Sequence, residues 1–233
     1  MSSRFFRQLL IMAATCLSAV AVETFTLAQH KQKSEALAKA ELKESELRFL
    51  KMQINPHFLF NSLNNIYALS VTNSDKTQEG IHTLSLMLRY VLYDCEQPKI
   101  PISKEVEYIR HFIDLYKLKS SEEYNIEFVE TVASTTIMIA PMLLVPFIEN
   151  AFKHSGIEKR GESFVSIRLQ AKANKVELFV KNSLPSQPLN TDPHRGIGLQ
   201  NVKKRLALLY PDKHQLEIEK SDTFSVKLIM NLV

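Results

Sequence analysis

Apolar residues recur every three or four positions beyond Pro56, which predicts amphipathic helices. The first apolar face consists of Phe60, Leu63, Ile66 and Tyr67, and that of a second helix, at about residues 77–95, consists of Ile81, Leu84, Leu88, Val91, Leu92 and Cys95. Two such faces turned toward each other predict a helical hairpin, and two hairpins would form a four-helix bundle. A third helix is expected to follow, with Ser103 as its N-cap.

The hydrophobic period changes beyond the third helix. Short strands are predicted at residues 126–129, 165–169, 176–180, 216–218 and 224–230. The second and third alternate apolar with polar residues across a turn at Ala173 and Asn174, which predicts a β-hairpin. Apolar helices are predicted at residues 141–155, beginning at or near Pro141, and at residues 196–210. A run of antiparallel strands with helices on one face predicts an α+β fold, a two-layer sandwich.

The chain begins with an apolar segment that carries no charge between residues 9 and 22. Either it is the core of a signal peptide, with Ala19, Val20 and Ala21 as the cleavage site, or it spans a membrane as far as Ala28. Lysines and arginines are more numerous after this segment than before it. The rest of the chain is therefore expected on the cytosolic side of the cytoplasmic membrane.

The sequence between this segment and Pro56 is rich in Ala, Leu, Glu and Lys. A short heptad pattern there predicts a helix that pairs with a copy of itself, and a solvated surface helix is the alternative. The domain boundaries expected from these patterns are 1–29 for the transmembrane or signal-like segment, 30–55 for the coiled-coil-like linker, 56–121 for the dimerising helices and 122–233 for the sandwich.

Composition narrows the classes of function. The chain has 233 residues, of which 45% are hydrophobic and 23% charged, and its formal net charge is +4. These values exclude a disordered or fibrous chain, and no basic cluster indicates nucleic-acid binding. The two cysteines, Cys16 and Cys95, lie far apart and outside any metal-ligand spacing, so neither a disulfide framework nor a zinc site is expected.

Three motifs carry residues suited to chemistry, and the first lies at residues 53–64. It places His57 directly after Pro56, on the polar side of the predicted helix. A neutral imidazole nitrogen is a nucleophile, and Asn61, one turn later, is placed to orient the ring or a water molecule. A capping or merely exposed histidine is the alternative.

The second motif, at residues 146–154, lies in the predicted apolar helix. Glu149 and Lys153 are four residues apart, as are Asn150 and His154, so the four side chains line one face of a helix. An amide oxygen and an ammonium there are suited to Mg²⁺ and to polyphosphate. A surface ion pair between Glu149 and Lys153 is the alternative.

The third motif consists of Arg195, Gly196, Ile197, Gly198 and Leu199 at the start of a predicted helix. Glycines let the backbone approach phosphate closely, and a helix N-terminus favours an anion. The chain has only five glycines, so a phosphate-binding loop would have to use these two.

The order of the three motifs resembles the LytS-type sensor histidine kinases, whose partners are LytTR-type response regulators. The resemblance covers about residues 40–233. Within it, residues 53–64 are similar to the family's phosphoacceptor box, residues 144–154 to its N box and residues 196–206 to its glycine box. The resemblance implies a dimerising hairpin followed by an ATP-binding domain of the GHKL class with the Bergerat fold.

The resemblance also implies roles for single residues. His57 would be autophosphorylated with ATP and Mg²⁺ and would then pass the phosphoryl group to an aspartate of a response regulator. The nucleotide-binding residues that it implies are Glu149, Asn150, Lys153, His154, Gly196, Gly198 and Leu199, with Asn150 as the Mg²⁺ contact and the two glycines as lid hinges.

GHKL kinases generally bind the adenine amine through an aspartate that a glycine-bearing loop follows. This chain has Asn182 at that place, followed by Ser183 and Leu184. The carbonyl oxygen of Asn182 can accept the same hydrogen bond, but without a charge. Two functions therefore stay open: a membrane-tethered, homodimeric histidine kinase, or a degenerate dimeric scaffold that binds nucleotide weakly or not at all.

Overall fold

The computed structural model describes residues 56–72, 74–119, 123–133, 136–159, 163–185 and 197–232, together with Thr26, Gln29 and residues 31–33. The candidate membrane or signal-like segment and the coiled-coil-like linker otherwise lie outside the described residues. Among the described residues, no helix combines the length and the apolar character that a membrane span requires. Residues 53–233 cluster into one compact unit.

Helices and short strands follow one another in this unit. The helices are α1 (Pro56–Thr72), α2 (Ser74–Leu92), α3 (Ile102–Lys117), α4 (Val145–His154) and α5 (Ile197–Leu209). The strands are β1 (Ile100–Pro101), β2 (Ile126–Val132), β3 (Met138–Ile139), β4 (Val165–Lys172), β5 (Lys175–Ser183), β6 (His214–Lys220) and β7 (Thr223–Asn231). Helices accompany a mixed five-stranded sheet in which most neighbouring strands are antiparallel, so the α+β class is confirmed.

Helices α1 and α2 pack against each other as the predicted hairpin, but α1 does not bury one continuous apolar face. Ile66 is only 4% exposed, and a Cβ built on Gly80 would come within 2.9 Å of its Cγ1. Phe60, Leu63 and Tyr67, predicted on the same face, are 68%, 55% and 74% exposed. Only the inner edge of the apolar face predicted on α1 therefore meets α2.

Helix α2 shows the same division. Leu84 and Val91 are buried, whereas Ile81, Leu88 and Leu92 are exposed. The buried edge packs against α1 and α3. The hairpin thus has an inner apolar edge that packs within the chain and an outer edge that no described residue covers.

Helix α3 begins at Ile102, so the prediction of Ser103 as its N-cap is wrong. The N-cap position is taken by Pro101, and no side chain caps the helix. The backbone N–H of Ile102 instead donates to the carbonyl of Ile137 at 2.8 Å. A neighbouring chain segment therefore satisfies the first amide of the helix, which a capping side chain would otherwise do.

The large sheet has the strand order β2-β4-β5-β7-β6. The hairpin of β4 and β5 is confirmed, with Ala173 at φ 53° in its turn. Strands β2 and β4 are parallel, with Ile126 opposite Val165, so the prediction of purely antiparallel strands is wrong here. The chain between them crosses over through α4, and such a connection returns the next strand in the same direction.

The core lies on one face of this sheet. Residues of β4 and β5 alternate between buried and more exposed positions, and Leu169 and Leu178 are fully buried. Helix α4 packs on these two strands and also contacts α3 and α5. The two predicted layers, sheet and helices, are therefore present, with α4 at their centre.

Candidate functional site

Helix α4 carries the second motif and begins at Val145, so the prediction that it starts near Pro141 is wrong. Pro146 lies in its first turn, where a backbone N–H has no partner within the helix. The buried residues of the helix are Val145, Phe147, Ile148, Ala151 and Phe152. On the other side, Glu149, Asn150 and His154 are half-buried and Lys153 is exposed. These four side chains therefore share one face, as their spacing predicts.

Glu149 lies close enough to the buried ring of Tyr108, in α3, to act on it electrostatically. Burial raises the pKa of Tyr108 most, and the negative charge of Glu149 raises it further. The motif face of α4 is thus bordered on one side by α3, where the environment is of low polarity.

The C-terminal end of α4 is fastened to the end of β5. The hydroxyl of Ser183 donates to the carbonyl of Ser155, directly after α4, at 2.8 Å. The same hydroxyl accepts a hydrogen bond from the backbone N–H of Phe164 at 3.0 Å. Because Ser155 is fully buried, this link holds the end of α4 next to the strand that carries Asn182.

Asn182 is fully buried on the helix-covered face of β5. Its Nδ2 donates to the carbonyl of Ser183 at 2.6 Å, but its Oδ1 has no hydrogen-bond partner among the described residues. A buried acceptor without a partner costs about 1–3 kcal/mol. The adenine amine of ATP is a donor that would satisfy this oxygen, so the residues present fit the nucleotide that the resemblance implies.

The third motif lies at the start of α5. Gly198 is exposed, and a Cβ built on it would meet nothing within 4 Å. Leu199 is half-buried and packs against the core, whereas Gly196 lies outside the described residues. Since α5 contacts α4, the helices of the second and third motifs are neighbours.

Residues 56–64 of the first motif lie in α1. His57 is the second residue of α1, and its side chain lies outside the described residues. Asn61, four residues later, borders an open pocket whose lining residues are Asn61, Asn64, Asn65, Lys119, Tyr124 and Glu158. Glu158 belongs to the short 3₁₀ turn Ile157–Lys159 that follows α4. The pocket therefore places one turn of the histidine-bearing helix opposite the segment beyond α4.

A buried polar cluster around residues 140–144 went unpredicted. Its charged members are Glu105, which is 0% exposed, and Arg205, which is 3% exposed. Each stands at core spacing among apolar residues of its helix, as Glu105 does between Ile102 and Ile109. A charged residue on an apolar stripe was the signal that could have revealed the cluster.

The comparison with protein families matches part of the chain to one class of enzyme. Residues 45–124 match the family model described as histidine kinase. The matched segment includes His57 and the helices α1, α2 and α3. The match covers about a third of the chain, and the third helix lies within it.

The comparison with curated proteins then indicates the type. The sensor protein LytS of Enterococcus faecalis is 28% identical over 193 residues, which are 78% of this chain and 33% of that protein. LytS of Bacillus subtilis is 29% identical over 188 residues, which are 76% of this chain and 32% of that protein. The chain thus spans about a third of the length of these relatives. The resemblance to LytS-type histidine kinases is confirmed.

Solved histidine kinases also align with the chain. The catalytic domain of histidine kinase ThkA covers 57% of this chain and 95% of its own length, with a TM-score of 0.39 and 14% identity. The Acinetobacter baumannii histidine kinase AdeS covers 85% of this chain and 97% of its own, with a TM-score of 0.40 and 18% identity.

Proposed function

We propose that the chain is a protein-histidine kinase of a two-component system, which phosphorylates His57 with ATP and passes the phosphoryl group to an aspartate of a response regulator. The observation that carries the proposal is the place of His57, in the first turn of α1 and inside the segment that matches the histidine kinase family model. The similarity to LytS sensor proteins supports a LytTR-type regulator as the partner.

In this proposal the imidazole of His57 is the nucleophile. A ring nitrogen without its proton forms the bond to phosphorus, and ADP leaves. Asn61 lies one helical turn from His57 and is half-buried, so its amide is suited to orient the ring or a water molecule. Bound MgATP supplies the γ-phosphoryl group.

The nucleotide would be held from two sides. The orphan Oδ1 of Asn182 accepts a hydrogen bond from the adenine amine. On the motif face of α4, the amide oxygen of Asn150 is the proposed Mg²⁺ ligand. The remaining proposed contacts, on the phosphate side, are Glu149, Lys153, His154, Gly196, Gly198 and Leu199.

The outer edge of the hairpin supports a homodimer. Its exposed apolar residues are Phe60, Leu63, Tyr67, Val71, Ile81, Leu88, Leu92 and Tyr93. A second hairpin packed against this edge would remove these side chains from water in a four-helix bundle.

We further propose that residues 1–29 tether the chain to the cytoplasmic membrane, with the kinase region in the cytosol. The excess of lysine and arginine after the apolar segment supports this orientation. The domain boundaries at residues 55/56 and 121/122 stay predictions. Helix α3, which ends just before the second boundary, packs on both α2 and α4.

The proposal is tested by incubating the full chain, purified in detergent, with γ-labelled ATP and Mg²⁺. We expect a label that is labile to acid and stable to alkali, because a phosphoramidate bond has that stability. His57→Gln should abolish it while ATP still binds, and His82→Gln, which alters an exposed histidine of α2, should keep it.

Asn150→Ala should remove both the label and Mg²⁺-dependent nucleotide binding. Asn231→Ala, at an exposed asparagine of β7, is the matched control and should change neither. A label that persists in His57→Gln would contradict the phosphoacceptor assignment. A folded dimer that takes no label would favour the degenerate scaffold instead.

A further inference from the structure

The loop of residues 140–144, which leads into α4, has an unfavourable backbone conformation. Met142 adopts φ 53°, a left-handed conformation that costs a residue other than glycine about 1–2 kcal/mol. Such a conformation persists only where surrounding contacts enforce it. The contacts that enforce it here come from side chains far away in the sequence.

Glu105 of α3 holds the amides of this loop. Its Oε1 accepts hydrogen bonds from the backbone N–H of Met142 and from the hydroxyl of Tyr90, in α2. Its Oε2 accepts one from the backbone N–H of Leu144 at 3.0 Å. Leu144 is the N-cap residue of α4, so the carboxylate binds the position at which that helix begins.

Arg205 of α5 holds the carbonyls of the same loop. Its Nη1 donates to the carbonyl of Met142 at 2.8 Å and its Nη2 to that of Pro141 at 2.7 Å. Tyr210, directly after α5, accepts a hydrogen bond from the backbone N–H of Ala140 at 2.8 Å. The loop is therefore clamped from both helices, on its amides and on its carbonyls.

The clamp joins the elements that carry the three motifs. It fixes the start of α4, which bears Asn150. It also contacts α5 through Arg205, seven residues after Gly198 and about 10 Å further along the helix. Through Tyr90 it also reaches α2, which packs against the histidine-bearing helix α1. A shift of the loop would therefore move the nucleotide-binding helices relative to the helix that carries His57.

We propose that Glu105 is a positioning residue for phosphoryl transfer, which sets the place of α4 relative to the α1–α2 hairpin through the amides of Met142 and Leu144. This proposal rests on the proposed kinase function. Glu105 does not touch the nucleotide in this scheme and acts only through the loop.

The chemistry of the cluster suits a carboxyl group, whose two oxygens both accept hydrogen bonds, and not an amide. Burial raises the pKa of Glu105, while the hydroxyl of Tyr90, the two loop amides and the charge of Arg205 lower it. All three groups that hydrogen-bond to Glu105 are arranged as donors. A glutamine has one acceptor oxygen, so its NH₂ group would face a donor and one loop amide would lose its partner.

The test compares E105Q with E107Q in the full chain. Glu107 lies on the same helix, its side chain is 55% exposed, and its partner Lys104 is 3.9 Å away, so the control makes the same chemical change outside the cluster. Labelling rates are measured per folded molecule, well below the melting temperature of each variant, as a function of ATP concentration.

We expect E105Q to lower the rate constant at saturating ATP about tenfold or more, because misplacement by about an ångström has effects of that order. The ATP concentration for half-maximal rate should stay within about threefold, since Asn182 and the glycines are unchanged. E107Q should behave like the wild type.

A merely structural role would lower the melting temperature of E105Q and leave its rate constant per folded molecule equal to that of E107Q, which would overturn the proposal.

If E105Q does not fold, the variant Y90F tests the proposal instead, through its labelling rate constant. It removes one hydroxyl from the cluster but keeps the ring that packs on Tyr108 at 4.8 Å, and a rate constant equal to the wild type would then contradict the proposal. A wild-type chain that takes no label contradicts the kinase function itself, whereas labelling at equal rates in all variants contradicts only the positioning role.

Discussion

The α1–α2 hairpin and the sheet with its helices differ in how they bury apolar side chains. In the sheet, Leu169, Leu178 and Leu228 are 0% exposed. In the hairpin, Phe60 and Tyr67 are 68% and 74% exposed. The sheet has its cover, α4, within the chain, while the outer edge of the hairpin has none among the described residues. The difference supports the proposed homodimer, in which a second hairpin covers this edge.

Buried polar residues differ in kind between the two regions, because those of the hairpin, Ser62 and Thr83, carry no charge. The sheet part contains buried polar or charged residues, namely Asn182, Arg205 and, from the adjoining helix α3, Glu105. Burying such groups is costly unless they are paired. They lie in the strand end, the loop and the helices around α4, where the nucleotide is proposed to bind. The buried charged residues thus lie on the side of the sandwich where the proposed function places the nucleotide.

The largest effect is expected from charged residues on the outer edge of the hairpin, which should weaken the proposed dimer. We expect the double variant Phe60→Asp with Tyr67→Asp to raise the dissociation constant of the dimer by about 10³-fold, because each buried aromatic anchor contributes about 2 kcal/mol or more. Sedimentation of the full chain in detergent measures this. Asn64→Asp, an exposed residue of the same helix, should leave the dimer intact. An intact dimer in the double variant would show that another surface forms the interface.

Removing the orphan acceptor of Asn182 should have the next largest effect. Asn182→Leu is expected to raise the dissociation constant of MgATP by about 10- to 100-fold, which corresponds to the 1–3 kcal/mol of a buried polar contact. The free energy of unfolding should change by less than about 1 kcal/mol, because the variant also removes a buried unsatisfied oxygen.

Titration calorimetry and urea unfolding measure the two quantities for Asn182→Leu. Asn231→Leu, at an exposed position of β7, is the control and should bind MgATP as the wild type does. Unchanged affinity in Asn182→Leu would remove this residue from the adenine site.

The pH dependence of stability should show the smallest effect. The pKa of Glu105 is raised above its ordinary value of 4.5 by burial, so the folded chain binds this proton more tightly than the unfolded chain. The stabilisation from Glu105 is then complete below pH 4.5 and is lost as the pH rises through the folded-state pKa. The slope is at most about 1.4 kcal/mol per pH unit.

Urea unfolding of the wild type and of E105Q at several pH values between about 5 and 8 isolates this contribution. The stability advantage of the wild type over E105Q should shrink as the pH rises in that interval, whereas its difference from E107Q should stay constant. An advantage that grows with pH would mean that the pKa of Glu105 is lowered in the folded chain.

Several local features were predictable because they depend on neighbours in the sequence. The alternation of Val176, Leu178 and Val180 identified β5, and the turn at Ala173 identified its hairpin with β4. The four-residue spacing of Asn150 and His154 placed them on one face of α4. Periods of two and 3.6 residues follow directly from backbone geometry, so these inferences needed no tertiary information.

Sequence patterns alone thus sufficed to identify the five helices and the five long strands among the described residues, and to locate the three motifs, but not the two-residue strands β1 and β3. Long-range packing settled which apolar residues are covered, as for Ile66 inside and Tyr67 outside, and that β2 runs parallel to β4. It alone brought Glu105 to Leu144 and Arg205 to Met142. The periodicity of a sequence gives the polarity of a helix or strand face but not the element that packs on it. The two hydrogen bonds join residues 39 and 63 positions apart, respectively, and they form only when packing brings those residues together.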